Sequence, residues 1–127
     1  MNKLIFSVLI SLASSMALAD PVVIANPGVQ LQTGDVKDVY SGAKQFAGAV
    51  KLVPVDNAQI QSSFLADVLK VTPTKYKQGW AKKAFQEGLT PPDVKSTDAE
   101  VLDYVKRTPG AIGYVSAEPK GGVNVIK

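Results

Sequence analysis

Residues 21–28 read Pro21-Val22-Val23-Ile24-Ala25-Asn26-Pro27-Gly28, four apolar residues in a row followed by a turn signal. A strand with water on one side alternates apolar and polar residues, so this unbroken run marks a strand covered on both faces. Asn26-Pro27-Gly28 ends it. A central strand so early in the chain needs helices packed above and below its sheet, and the segments that follow supply them.

After Leu31, Thr33 or Asp35 is placed to cap a short helix reaching Tyr40, with Val36, Val39 and Tyr40 on one side and Gly42 as its stop. Residues 49–55 form a second expected strand, and Pro54 near its end points to an edge or a strand terminus. Asp56 and Asn57 are good N-cap types. Beyond them Ile60, Phe64, Leu65, Val68 and Leu69 recur at helical spacing until Thr72-Pro73. Over residues 75–87, Tyr76, Trp80, Ala84 and Phe85 make a narrower apolar stripe, Lys75, Lys77, Lys82 and Lys83 make the opposite face basic, and Gly88 suits the end. Thr90-Pro91-Pro92-Asp93 reads as a loop. Thr97 with Glu100 spells a capping box for a helix that ends in Lys106-Arg107, and Thr108-Pro109-Gly110 stops it. Residues 111–115 and 123–126 read as two closing strands separated by a turn around Pro119-Lys120-Gly121-Gly122. The alternation predicts an α/β fold with a mainly parallel sheet flanked by helices.

With 127 residues, the chain is sized for one globular domain. It has neither cysteine nor histidine, which removes disulfides, structural zinc, thiol nucleophiles and imidazole bases, so no metal and no cofactor is expected. The formal charge of +3 is too small for a nucleic-acid groove. Residues 1–19 have the layout of a secretory signal peptide: Lys3 as the positive start, a nearly apolar stretch from Leu4 to Leu12, and Ala17-Leu18-Ala19 as the cleavage site before Asp20. Ser11, Ser14 and Ser15 interrupt the apolar stretch, which falls short of the about 20 residues of a membrane span. An exported protein whose mature part is residues 20–127 is the expectation.

Three segments resemble the phosphate-binding proteins of ABC transporters. Ile24-Ala25-Asn26-Pro27 with Asp35-Val36-Lys37-Asp38-Val39-Tyr40-Ser41-Gly42 is similar to their strand ending in Val-Asn-Pro and the following helix. Trp80 to Phe85 with Gly88 is similar to their "Trp…Phe-x-x-Gly" helix. Thr108-Pro109-Gly110-Ala111-Ile112-Gly113-Tyr114-Val115 is similar to their "Pro-Gly-Ala-Ile-Gly-Tyr-Val" strand entry. The order agrees over nearly all of residues 20–127. The resemblance implies a single lobe of a type II periplasmic-binding-protein fold, in which two α/β lobes close over an oxyanion. It further implies backbone amides and hydroxyls at a helix start as the anion's partners.

The helix start departs from that family's Asp-Gly-Ser-Gly-Thr-Ser-Phe run and its arginine. Anchored on Phe64, Ser63 and Ser62 match the serine and threonine, Gln61, Ile60, Gln59 and Ala58 replace Gly, Ser, Gly and Asp, and Asp56 falls on the arginine. A carboxylate in place of a cation turns attraction for an anion into repulsion. Asn57, Gln61, Ser62 and Ser63 are the residues expected to hold a bound oxyanion. The alternative is that Asn57 only caps the helix and the serines are first-turn polar residues.

Ser41-Gly42-Ala43-Lys44 spells S-x-x-K, but Gly42 interrupts the helix and the S-D-N and K-T-G partners are missing. Asp98, Glu100 and Asp103 fit the ordinary preference of a helix start for acids, and Trp80 lies on an apolar stripe, as a core residue does. With no general base in view, an enzyme is not expected. Two functions remain. One is a solute-binding-type protein for phosphate or a related oxyanion, linked to ABC transport, whose partners are transporter membrane subunits or a second lobe from another copy or another protein. The other is a non-enzymatic interaction module that has lost ligand binding.

Overall fold

A computed structural model describes residues 20–127, and the expected signal peptide over residues 1–19 lies outside the described residues. In chain order the elements are β1 (Val22–Ala25), α1 (Asp35–Tyr40), β2 (Phe46–Ala47), β3 (Val50–Lys51), β4 (Val53–Asn57), α2 (Gln61–Ser63), which runs on as a π-helical segment (Phe64–Leu69), α3 (Pro73–Glu87), β5 (Asp93–Lys95), α4 (Asp98–Arg107), β6 (Ala111–Val115) and β7 (Asn124–Val125). Five strands form the main sheet in the order β5-β4-β6-β1-β7. β4 runs parallel to β5 and to β6, whereas β1 is antiparallel to both of its neighbours, β6 and β7. Four of the five strands therefore point one way and β1 runs against them, which makes the sheet mainly parallel.

The first strand is central, as its apolar run requires. Val23 and Ala25 face one side of the sheet with Ile112, Tyr114, Phe64 and α1, while Ile24 faces the other with Val55, Ala111, Val115 and the α4 residues Val101 and Val105. Burying β1 and β6 from both sides is what holds the two layers of helix to the sheet. Gly113 shows how closely α4 packs, since a Cβ there would stand 2.7 Å from Val101.

Several sequence expectations change. The second strand breaks in two: β3 folds back on β2, and β4 continues to Asn57, so Asp56 and Asn57 are strand residues and the next helix starts at Gln61. Pro54 sits inside a central strand, but where β4 is paired to β6 only, the β5 ladder beginning one residue later at Val55. A missing N–H is harmless at such a place. Asp93, expected as the last residue of a loop, instead opens a short edge strand, Asp93–Lys95. β6 and β7 are not neighbours, because β1 lies between them. On α3, Trp80 is buried as expected, but Phe85 leaves the stripe and is 91% exposed.

Candidate functional site

β4 ends in two buried polar residues, Asp56 and Asn57, at the carboxyl edge of the parallel strands, where open α/β sheets place their ligands. Successive strand residues face opposite ways, so the two enter different networks. Asn57 donates from Nδ2 to Asp98 Oδ1 at 2.7 Å and to the Tyr114 carbonyl at 2.9 Å, and its Oδ1 accepts from the Gln59 amide at 2.9 Å. The Gln59 side chain in turn accepts from the Asp98 amide at 3.0 Å. The second carboxylate oxygen of Asp98 accepts from both the amide and the hydroxyl of Ser116. These bonds tie the ends of β4 and β6 and the start of α4 into one unit.

The expected oxyanion residues are thus brought to one edge but play unlike parts. Asn57 is committed to the fold with both amide hydrogens and its oxygen. Gln61 and Ser63 are half-buried and Ser62 is exposed at the first turn of α2. Ile60 precedes that turn without a side-chain capping bond. The start of α4 is different: Thr97 Oγ1 accepts from the Glu100 amide and Glu100 accepts from the Ser96 amide, the expected capping box displaced by one residue on its return bond.

Asp56 faces the other way. Tyr114 donates its hydroxyl to one carboxylate oxygen at 2.6 Å and Tyr76, from α3, to the other at 2.7 Å. Burial pushes the Asp56 carboxyl above its ordinary value, and the bonds from Tyr114, Tyr76 and Gln61 offset part of that rise. Burial and the nearby Asp56 charge hold the Tyr76 and Tyr114 hydroxyls well above the usual phenol range. Tyr114 also stacks on Phe64, with ring centres 3.7 Å apart and planes at 6°. Asp56 and Gln61 line a cavity of about 370 Å³ beneath α3, shared with Tyr76, Trp80, Pro91 and Val94.

Nothing in the sequence spacing announced this tyrosine–carboxylate cluster or the role of Asp98. Their members come from β4, α3, β6 and α4, and only pairing of the strands brings them together. The S-x-x-K serine is spent locally: Ser41 donates its hydroxyl to the Asp38 carbonyl at 3.1 Å. Trp80 serves the core and donates from Nε1 to the Tyr40 carbonyl at 2.8 Å.

No protein-family model matches the chain, and no curated protein matches it significantly. Solved structures do. A protein described as a phosphate ABC transporter substrate-binding protein from Clostridium perfringens, with bound phosphate, is similar over 86% of this chain and 44% of its own, at a TM-score of 0.62 and 16% identity. PstS from Borrelia burgdorferi matches 85% of this chain and 46% of its own (TM-score 0.61, 16% identity). An ABC-type phosphate transport receptor from Vibrio cholerae matches 92% and 53% (TM-score 0.58, 16% identity). The chain spans about half the length of these proteins, and its fold is that of a single lobe of such a binding protein.

Proposed function

We propose that the chain is a periplasmic solute-binding-type protein that recognises phosphate or a related oxyanion in the service of ABC transport. The observation that carries this reading is the likeness of nearly the whole described chain to half of three phosphate-transport proteins, one of them holding phosphate. In this reading the anion lies against the first turn of α2, bound by the amides and hydroxyls of Ser62 and Ser63 with the Gln61 side chain beside them, while Asn57 shapes the turn before it. The same half-length match motivates a second lobe, from another copy or another protein, to close the site, and transporter membrane subunits as downstream partners. The export signal of residues 1–19 belongs to the same reading.

Thermal unfolding with and without millimolar phosphate tests it. Phosphate at about 100 times its dissociation constant adds about 2.7 kcal/mol of stability, while sulfate at matched ionic strength serves as the control. Ser62→Ala is expected to weaken binding by about tenfold, since a hydrogen bond to a charged group contributes about 1.5–3 kcal/mol, and to leave folding nearly unchanged because Ser62 is exposed. Equal phosphate affinity in the variant would remove Ser62 from the site.

One observation favours the second reading, an interaction module without a ligand. Asp56, on the family's arginine position, is buried within a closed set of hydroxyl and amide partners, and Asn57 has no free hydrogen-bonding atom. An absent phosphate response in the experiment above selects this reading.

A further inference from the structure

Asp56 is 1% exposed, and no cationic side chain pairs with it among the described residues. Its partners Tyr114, Tyr76 and Gln61 are neutral. Hydroxyl and amide dipoles soften the loss of water around a buried carboxylate without supplying the opposite charge that a buried ion calls for. Asp56 also forms part of the wall of the cavity beneath α3, whose volume of about 370 Å³ falls within the range of about 300–1,000 Å³ of small-molecule sites. Leu65 and Trp80 are buried where they line it, and Ala81, Pro91 and Val94 are exposed, so the cavity reaches solvent. A chiefly apolar, partly aromatic hollow with one carboxylate in its wall suits an organic cation.

The chemistry of the wall narrows the choice of cation. Asp56 already accepts from Tyr114 on one oxygen at 2.6 Å and from Tyr76 on the other at 2.7 Å, with Gln61 as a third donor. A primary ammonium or a guanidinium, whose N–H groups each need an acceptor, finds these lone pairs largely taken. An ammonium whose hydrogens are replaced by methyl groups needs only opposite charge and apolar contact. Trp80 spends its indole N–H on the Tyr40 carbonyl, so what it offers the cavity is ring surface, and the Tyr76 hydroxyl is likewise engaged. Aromatic rings attract such cations. Lys77, the one cation of the wall, is exposed and leaves the Asp56 charge without an ion pair. We propose that this cavity is a binding site for a small methylated ammonium compound, its charge held by Asp56 and its methyl groups by Trp80, Tyr76 and the prolines at 91 and 92. The site goes beyond the oxyanion reading, with which it shares Gln61.

Trp80 is the only tryptophan of the chain, so its fluorescence reports on the cavity directly. Titration with choline is expected to change it saturably, while sodium chloride at matched ionic strength leaves it unchanged. Dimethylbutanol, the uncharged carbon analogue of choline, has the same shape and is expected to bind about tenfold more weakly, because it lacks the charge that Asp56 and the rings attract. Asp56→Asn keeps the volume of the side chain and removes its charge; it should weaken choline about tenfold and bring the two compounds to equal affinity. Ala81→Phe fills the cavity from α3 with the carboxylate left in place, and is expected to abolish the choline response even if Asp56→Asn does not fold. No saturable choline response in the wild type, equal binding of the two compounds there, or a choline affinity unmoved by either substitution in a folded variant would each overturn the proposal. The titration contains no phosphate and the phosphate experiment no choline, so a failure of one reading is distinguishable from a failure of the other.

Discussion

Asp56 carries a charge at a depth where charge is costly, and the response of the fold to pH should register it. Its carboxyl is raised above the ordinary value of 3.8 chiefly by burial. In the interval between 3.8 and the raised value the folded state holds the proton and the unfolded state does not. Folded protein therefore binds more protons than unfolded there, and stability falls as pH rises through that window. Asp56→Asn removes this titration while keeping one acceptor for the tyrosine hydroxyls. Urea unfolding of both proteins from pH 7 down to pH 4 is expected to show the wild type gaining stability relative to the variant as pH falls. A constant or shrinking difference would contradict the raised carboxyl. None of this was readable from the sequence, where Asp56 looked like a helix cap: its neighbours Tyr76 and Tyr114 lie 20 and 58 residues away. Thr97 was readable, because a cap acts within three residues of itself.

Local signals account well for α4 and poorly for the segment before α3. In α4 the cap at Thr97, acids in the first turn, Val101 and Val105 inward and Lys106-Arg107 in the last turn all agree. Thr97→Ala is expected to lower stability by about 1 kcal/mol, measured by urea unfolding, because the Glu100 amide loses its acceptor. A change below about 0.3 kcal/mol would mean that Glu100 and water replace the cap. The stretch from Ile60 to Leu69 has helical spacing, yet it forms one short α-turn and then a π-helical segment that ends at Lys70 with φ 59°. Phe64 must reach both Tyr40 and Tyr114 from this segment, at ring separations of 4.8 and 3.7 Å. A π-helix widens the backbone locally and is a common answer to such a packing demand. Spacing alone carries no mark of it.

At the scale of the whole molecule, α1, α2 and α4 close the two faces of the sheet, and α3 is fastened to it chiefly by two side chains, Tyr76 through Asp56 and Trp80 through the Tyr40 carbonyl. Elements with little buried surface open at low free energy. Amide hydrogen exchange is expected to be faster in α3 than in β1, β4, β6 and α4, and Tyr76→Phe to speed exchange in α3 selectively. Uniform protection across α3 and β6 would refute this. The sequence by itself determined the layered α/β class, the central place of β1, the α4 cap and the Trp80 core position, because apolar periodicity, caps and turns act over a few residues. Tertiary structure alone decided that β1 runs against its neighbours and separates β6 from β7, that residues 93–95 become an edge strand, that Asn57 is locked to Asp98, and that Phe85 is left in solvent. Each of these depends on which distant segments pair and which faces remain to be covered, a free-energy balance summed over the whole chain that no short window of residues contains.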